Sequence, residues 1–410
     1  MTDAAAASPT ADLVAAARAT LDAIVDVRRR LHRQPEVGLH LPRTQAVIAE
    51  ELRALGLDPR LGETTTSVVA TIEGRQPGPT ILLRADMDAL PLQEDTGLDF
   101  ASEVAGVMHA CGHDTHVAML LGATRLLVER RERLAGRVLL MFQPGEEGWH
   151  GARFMLDEGL LDEGDHGAGD VARAVAIHIS NRYASGTINV RSGALLASAD
   201  ALKVTVSGRG GHASTPHLAL DPITSAAGLV LALQNAISRE VDVFDPAVLT
   251  MTRISGGTTN NIIPEAVELE GTIRTVSPEQ RAAMRALATR VAAGVAATHG
   301  TTIDFDIVPG YPVTMCDPEV TSWIRGLAVE LIGDDQVHDL EHPVMGAEDF
   351  SYVTERVPGM MAFLGSRPAG LDPATAPQNH SNRVVFDEPA MAIGAALYAA
   401  AAIDALTERP

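Results

Sequence analysis

The segment from His109 to His116 contains three imidazoles, one thiol and one carboxylate within eight residues. These side chains are the ligands that first-row transition metals prefer in proteins. Apolar cores seldom contain so many imidazoles and ordinary surfaces seldom carry free thiols, so packing alone does not explain this composition. The segment therefore predicts a metal-dependent site, and a buried cysteine beside surface histidines is the alternative for Cys111 and His113.

Two further groups of candidate side chains follow apolar stretches. Glu146 and Glu147 come after Val138–Phe142. Two adjacent carboxylates can divide the tasks of binding a metal and accepting a proton from water. His178 follows the apolar stretch Val171–Ile177 and is a candidate ligand. A solvated acidic turn and a structural histidine are the respective alternatives.

Other candidates are less specific by themselves. Asp86 and Asp88 follow the short apolar stretch Thr80–Leu83, and either carboxylate could orient a ligating histidine, although simple turn chemistry is the alternative. His380 lies in a polar loop before the last predicted helix. His212 lies in a glycine-rich segment that could approach a substrate, although an ordinary hairpin loop has the same composition.

Polar groups that could hold a substrate carboxylate occur in the second half of the chain. They are Asn261, in the polar loop 256–264, and Arg274, whose guanidinium suits bidentate binding of a carboxylate. The phosphate loop GxxxxGK[ST], the nucleophile elbow GxSxG, the HExxH motif and the zinc-deaminase signature do not occur in the sequence. Nucleotide hydrolysis and serine-based hydrolysis therefore have no support.

The elements that must position these residues alternate in the first half of the chain. Apolar stretches that predict strands are separated by helical patterns, and one of these runs from Val117 to about Arg133. Continuous apolar strands separated by helices predict an α/β fold with a mostly parallel sheet covered by helices. The candidate residues follow predicted strands, where ligands bind in open α/β sheets.

From about Ala197 the pattern changes to strands of alternating polarity. The predicted order to about Gly310 is β-α-β-β-α-β, which is that of a ferredoxin-like module. Its first helix is predicted over Asp221–Ser238, with Asp221 as N-cap and Pro222 at the first helical position. We therefore predict a metal-binding catalytic domain made of residues 1–196 and 311–410, with a second domain of residues 197–310 inserted into it.

The composition limits the expected partners and compartment. The chain has 53 Asp plus Glu against 32 Lys plus Arg, a formal charge of -21, so binding to nucleic acid is not expected. Two cysteines exclude a disulfide framework and fit a reducing cytoplasm. No signal-peptide pattern is present, and the apolar stretch Ala390–Ile403 is too short to span a bilayer, so it predicts a buried helix and no membrane association.

Seven motifs, in their order and spacing, closely resemble the amidohydrolase branch of the aminoacylase/carboxypeptidase metallopeptidase family. That branch includes hippurate hydrolases, N-acyl-amino-acid amidohydrolases and indoleacetyl-amino-acid hydrolases. The resemblance extends from about His32 to the C-terminus. The motifs are LRADMDALPLQE (83–94), MHACGHDTH (108–116), FQPGEEG (142–148), GRGGHASTPH (208–217), NNIIP (260–264), GTIRT (271–275) and MGAEDFS (345–351).

The resemblance implies a site with two divalent metal ions per subunit. Mixed thiolate, imidazole and carboxylate ligands favour Zn²⁺, with Mn²⁺, Co²⁺ and Ni²⁺ as alternatives. The implied ligands are Cys111, His113, Glu147, His178 and His380. The other implied roles are those of Glu146 as general base, Asp86 as the carboxylate that orients a ligand, His212 as a lid histidine that polarises the scissile carbonyl, and Asn261 and Arg274 as contacts for the carboxylate end of the substrate.

The implied reaction is hydrolysis of the amide bond of a small N-acyl amino acid, hippurate-like or N-acetylated. Hydrolysis of small peptides by a carboxypeptidase or dipeptidase is one alternative. A catalytically silent homologue that only binds a metal or ligand is another, although Glu146 argues against it because a binder needs no base.

The resemblance also implies a homodimer. The inserted domain would serve as lid and dimerisation domain, with His212 acting on the partner's site. One departure concerns the residues from His178 to Tyr183, where the family has a Trp-Pro or x-x-Pro segment. We expect these residues to form a loop that borders the acyl pocket.

Overall fold

The computed structural model describes residues 12–162 and 171–407, and the chain divides into two compact units. The first unit comprises Met1–Gly193, Met315–Glu341 and Tyr352–Pro410. The second unit comprises Ala194–Thr314 and His342–Ser351. The segment His342–Ser351 lies within the predicted 311–410 part of the catalytic domain. It belongs to the second unit because the backbone of Val344 hydrogen-bonds to Leu195 and Ala197.

Before the second unit, three helices and three strands are followed by helices and strands that alternate from α4 to β5. In chain order they are α1 (Leu13–Ala19), α2 (Leu21–Arg33), α3 (Pro42–Ala54), β1 (Arg60–Leu61), β2 (Val68–Glu73), β3 (Gln76–Asp86), α4 (His113–Val128), β4 (Ala135–Gln143), α5 (Gly151–Asp157), β5 (Val171–Ala184) and β6 (Ile188–Val190).

Strands predominate in the next part of the chain, and helices return after it. The elements from residue 193 to residue 316 are β7 (Gly193–Leu196), β8 (Asp200–Ser207), β9 (Gly211–His212), α6 (Pro222–Glu240), β10 (Ala247–Gly256), β11 (Ile262–Ile263), β12 (Ala266–Thr275), α7 (Pro278–His299), β13 (Thr302–Pro309) and β14 (Thr314–Cys316). The last elements are α8 (Pro318–Ile332), β15 (Val337–Asp339), α9 (Ser351–Thr354), β16 (Gly359–Arg367) and α10 (Met391–Leu406).

The first unit is built on one mixed sheet. Among the described residues its strand order is β1-β2-β4-β3-β5-β16-β6-β15. The pairs β4–β3, β3–β5, β5–β16 and β6–β15 are parallel, and the other pairs are antiparallel. The central strands are buried and apolar, as in sheets covered by helices on both faces. The predicted α/β class with a mostly parallel sheet is confirmed.

Strand β5 is longer than the sequence predicts. Its pairing with β3 ends at Arg84 and Ala176, but its pairing with β16 continues to Ala184. The loop predicted from His178 to Tyr183 is therefore wrong, because this segment is part of β5, which pairs with β16 from His178 to Ser180 and again at Ala184. His178 lies within β5, just past the point where β3 stops pairing with it.

Helix α4 begins at His113 rather than at the predicted Val117. Gly112 precedes it with φ 91°, and a Cβ at this position would lie 2.5 Å from Cγ2 of Ile179. Glycine is required here both for the left-handed backbone and for the close approach to β5. The apolar pattern of the sequence did not indicate this helix start, because the first turn of α4 is polar although it is buried.

The first turn of α4 is joined to α2 by buried charges. Asp114 Oδ2 lies 2.8 Å from Nε of Arg28 and 2.8 Å from Nδ1 of His32. Burial alone would raise the pKa of Asp114, but Arg28 and His32 hold it well below its usual value. The ionised carboxylate therefore anchors the start of α4 to α2.

Helix α10 is apolar on all sides and buried, as predicted for the C-terminal stretch. Among the described residues, one helical segment, Glu388–Leu406, which includes α10, is long and apolar enough to cross a membrane. However, 78% of its most apolar window is buried within the protein. A buried helix of this kind is typical of the core of a large domain.

The second unit contains a four-stranded antiparallel sheet with the order β10-β12-β8-β13. Helices α6 and α7 contribute Leu229, Leu233 and Met284 to the core of this unit. The order β8-α6-β10-β12-α7-β13 confirms the predicted ferredoxin-like module. The start of α6 is also confirmed, since the Asp221 side chain accepts a hydrogen bond from the N–H of Ile223.

Candidate metal centre and active site

The five predicted ligands lie together in the first unit. Their ligand atoms form overlapping groups, in each of which all atoms lie within 4.8 Å of one another. These groups are Cys111, His113 and His178; Cys111, Glu147 and His380; and His113, Glu146 and Glu147. Cys111 Sγ lies 3.5 Å from His178 Nε2 and 3.3 Å from His380 Nε2. Since Cys111 belongs to two groups, its sulfur could contact two ions.

His380 is held in the site by backbone contacts. Its φ of 69° is unusual for a non-glycine residue. Its N–H donates to the carbonyl of Ala110, and the Asn379 amide donates to the carbonyls of Cys111 and Ile179. The loop before α10 is thus fixed to the Cys111 turn, which explains how a ligand so distant in sequence reaches the site.

Asp88 fixes the turn that carries Glu146 and Glu147. Its Oδ1 accepts a hydrogen bond of 2.9 Å from the N–H of Glu146, and its Oδ2 accepts one of 3.0 Å from the N–H of Glu147. The sequence predicted only a general role in orienting a histidine, and Asp88 Oδ1 does lie 3.3 Å from Nδ1 of His113. One carboxylate therefore supports the candidate base and two candidate ligands.

Asp86 lies between cationic and imidazole groups. Its Oδ2 is 2.8 Å from Nη1 of Arg84 and 3.4 Å from Nε2 of His113, and its Oδ1 is 2.5 Å from Nδ1 of His116. Burial would raise the pKa of Asp86, but Arg84, His113 and His116 hold it well below its usual value. These contacts support the prediction that Asp86 orients ligands, and they add His116 to the site.

The electrostatics of Cys111 and His113 favour a bound cation. Burial and the carboxylates of Glu147, Glu146 and Asp86 raise the pKa of the Cys111 thiol well above its ordinary value. Burial lowers the pKa of His113, but the nearby carboxylates of Asp86 and Asp88 outweigh it and raise the value to about 10. A divalent cation would offset the crowded negative charge and would allow the thiolate to form. The residues therefore fit a metal site.

His178 is neutral and correctly oriented for a ligand. Burial and the neighbouring His116 lower its pKa well below the ordinary value. Its Nδ1 lies 2.7 Å from the carbonyl oxygen of Ile179, which can only accept, so Nδ1 carries the proton. The lone pair of Nε2 is therefore available on the side of Cys111.

Glu147 and His380 form the other end of the cluster. Glu147 Oε1 lies 3.1 Å from His380 Nε2. Burial would raise the pKa of Glu147, but the contact with His380 lowers it below its usual value. An ionised carboxylate beside an imidazole nitrogen is a suitable pair of ligands for Zn²⁺ and similar ions.

His212, Asn261 and Arg274 lie in the second unit. His212, which is exposed, pairs with Ile262, and Asn261 accepts a backbone hydrogen bond from Ala213, so His212 and Asn261 occupy neighbouring segments. Arg274 is half-buried in β12, where burial lowers its pKa below the usual value. Their roles towards a substrate stay predictions.

Comparisons of sequence place this chain among known hydrolases. The sequence pattern of "Peptidase family M20/M25/M40" matches residues 82–404. A Saccharolobus solfataricus protein named thermostable carboxypeptidase 2 is 39% identical over 386 residues, which cover 93% of this chain and 95% of that protein. A Bacillus subtilis N-acetylcysteine deacetylase is 37% identical over 383 residues, covering 93% of this chain and 96% of that protein.

A solved structure agrees with these matches. The crystal structure of a Bacillus subtilis protein, described as a dinuclear metal-binding peptidase from the M20 family, superposes with a TM-score of 0.80. The two chains are 32% identical, and the match covers 95% of this chain and 99% of the other.

Proposed function

The chain belongs to peptidase family M20/M25/M40, and from this premise we propose that it is a metal-dependent amidohydrolase of N-acyl amino acids. It cleaves the amide bond to give a carboxylate and a free amino acid. The observation that carries the proposal is the meeting of five ligand side chains with the Glu146–Glu147 turn. The deacetylase relative supports an N-acyl amino acid as the substrate class.

Two divalent ions would be held by the two groups that share Cys111. One group contains His113 and His178, and the other contains Glu147 and His380. When bound, such ions act as Lewis acids that polarise a carbonyl and acidify water. The mixture of thiolate, imidazole and carboxylate favours Zn²⁺, with Mn²⁺, Co²⁺ and Ni²⁺ as alternatives.

Glu146 is the general base in this proposal. Its backbone is fixed by Asp88, and its carboxylate lies close to His113 and Glu147 but belongs to neither of the two groups that share Cys111. It accepts a proton from the attacking water and then donates that proton to the leaving amine. His212 assists the scissile carbonyl, and Asn261 and Arg274 hold the carboxylate end of the substrate.

A substrate screen tests the proposal directly. Enzyme stripped of metal and reconstituted with Zn²⁺, Mn²⁺, Co²⁺ or Ni²⁺ is assayed on N-acetyl amino acids, N-benzoyl amino acids and dipeptides with free amino termini. We expect the highest kcat/KM on an N-acyl amino acid. Protein that binds metal but hydrolyses none of these substrates would contradict the proposal and favour a silent binding protein.

Hydrolysis of small peptides is the second candidate function. The relative named thermostable carboxypeptidase 2 supports it, because it is 39% identical over 93% of this chain. A preference for dipeptides over the matched N-acetyl amino acids in the same screen would favour this candidate. In either case the chemistry at Glu146 and the metal ligands is the same.

A reducing cytoplasm suits this site. Cys111 and Cys316 are both free and buried. Cys111 has to act as a thiolate, and its oxidation would remove a ligand that two metal groups share. We therefore place the protein in the cytoplasm, with a small molecule as its substrate.

We also propose a homodimer formed through the second unit. Strand β10 is an outer strand of the four-stranded sheet, and it carries the exposed Val248 and Ile254. Val243 and Phe244, between α6 and β10, are 80% and 92% exposed. An outer strand bordered by exposed apolar side chains favours association with a second copy.

Mixed dimers test whether His212 acts on the partner's site. Glu146→Gln and His212→Ala homodimers should each be nearly inactive. In a mixed dimer, one site would combine the intact Glu146 of one chain with the intact His212 of the other. Co-refolding the two variants should therefore restore partial activity. If verified mixed dimers stay inactive, His212 serves the site of its own chain.

A further inference from the structure

Strands β3 and β5 separate at the candidate metal site. Their backbone pairing ends at Arg84 and Ala176, whereas β3 remains paired with β4 as far as Asp86 and β5 remains paired with β16. Beyond that point β5 carries the ligand His178 and β3 carries Asp86. The distance between these two residues therefore depends on something other than direct pairing of the two strands.

The hydroxyl group of Tyr398, from α10, joins the strands at the point of separation. It donates a hydrogen bond of 2.6 Å to the carbonyl of Arg84 in β3 and accepts one of 2.8 Å from the N–H of Ile177 in β5. Tyr398 is fully buried. Its hydroxyl thus replaces one backbone contact of the missing ladder, since it satisfies a donor on one strand and an acceptor on the other.

The imidazole of His116, from α4, joins the strands one step further. Its Nε2 accepts a hydrogen bond of 2.8 Å from the N–H of Ile179 in β5, so Nδ1 carries the proton of the neutral ring and donates to Asp86 Oδ1 at 2.5 Å. The ring centroids of His116 and His178 are 4.6 Å apart, and the ring planes are inclined at 67°. The N–H groups on both sides of His178 are therefore held by side chains from two different helices.

We propose that Tyr398 and His116 are positioning residues that continue the pairing of β3 with β5 through their side chains and thereby hold His178 against Cys111 and His113. This inference rests on the proposed function only in that His178 is taken as a metal ligand. Neither residue touches the substrate, and both act through His178 and Asp86. Substitution of a residue that orients a metal ligand typically lowers the metal affinity by about 10–100-fold.

The effect should fall mainly on one of the two ions. His116 and Tyr398 contact the strand of His178, which belongs to the group with Cys111 and His113. Glu147 is held by Asp88, and His380 is held by the Ala110 carbonyl, although Asn379 beside it also contacts Ile179 of β5. Loss of either positioning residue should therefore lower the affinity for the ion at His178 by about 10–100-fold and that for the second ion much less.

Three substitutions separate the contacts of this arrangement. His116→Gln keeps an acceptor near the position of Nε2 but removes the donor to Asp86. His116→Asn keeps a donor near the position of Nδ1 but removes the acceptor for the Ile179 N–H. Tyr398→Phe removes only the bridging hydroxyl. Thr124→Val is the matched control, because it removes a buried hydroxyl from α4 that, within the described part of the chain, donates to the carbonyl of Leu120 in its own helix.

The experiment measures binding of Co²⁺ by chelator competition and records the visible absorption spectrum at one and two equivalents. We expect each of the three variants to bind one of the two Co²⁺ ions more weakly and to change the visible absorption spectrum of that ion. Thr124→Val should behave as the wild type. Folding of each variant is checked by circular dichroism. If one of the three variants fails to fold, the other two still test the proposal.

The outcomes distinguish this inference from the proposed function. If wild-type protein binds two ions and the folded variants bind both with unchanged affinity and spectrum, the positioning role is overturned. Equal weakening of both ions, or the same effect in Thr124→Val, also overturns it, because that result indicates a general loss of structure. If wild-type protein binds no metal, the proposed function fails as well.

Discussion

Glu146→Gln should bind both metal ions and substrate like the wild type but lose about 10²–10⁴-fold in kcat, the usual contribution of a general base. Glutamine has the same shape, and its backbone N–H can still donate to Asp88. The neutral amide, however, cannot accept a proton from water. Elemental analysis and substrate affinity should therefore stay constant while turnover falls.

Glu147→Gln should behave differently although it is the adjacent residue. Glu147 lies 3.1 Å from His380 and belongs to the group that also contains Cys111. Loss of its negative charge should release the ion of that group and so reduce metal content together with activity. If the two variants lose metal to the same extent, the division of roles between the two glutamates is wrong.

Cys111→Ala should lower metal content and activity together, and it should affect both ions. Its sulfur belongs to the group with His178 and to the group with His380. Loss of a group that merely orients a ligand costs about 10–100-fold in affinity, so loss of a shared ligand should cost more. We expect metal content, measured by elemental analysis, to fall well below two ions per chain.

Cys316→Ala is the control for this experiment. Cys316 is also buried, and burial raises the pKa of its thiol to about 12. Its sulfur contacts the backbone of Met361 and belongs to none of the ligand groups among the described residues. It should retain metal and activity. Full occupancy in Cys111→Ala would remove Cys111 from the site.

Local patterns in the sequence predicted the fold class and the ferredoxin-like module, whereas the full set of five ligands was implied by the family resemblance. Apolar strands and strand-ending polar residues indicate where ligands meet without any knowledge of tertiary contacts. The start of α4 was predicted four residues too late, since its first turn carries His113, Asp114 and His116. The polarity of that turn is balanced by partners that are distant in sequence.

The supporting residues could not be predicted for the same reason. His116 was part of the conspicuous cluster, but its partners Asp86 and Ile179 lie on two different strands. Tyr398 occurs in an Ala-rich helix, and nothing near it in sequence indicates that its hydroxyl lies between β3 and β5. Such contacts depend on which helix covers which part of the sheet.

The ion pair between α2 and α4 has a consequence for where this enzyme can be truncated. The match to the family's sequence pattern begins at residue 82, whereas Arg28 and His32 lie well before it. A fragment that begins at residue 82 would lack both cationic partners of Asp114 and the helix α2 that packs over it. Loss of the partner of a buried charge typically costs about 3–5 kcal/mol, a large part of the roughly 5–15 kcal/mol by which domains are stable. The N-terminal helices are therefore an integral part of the hydrolase, and expression fragments, domain fusions or circular permutants should keep α2 intact.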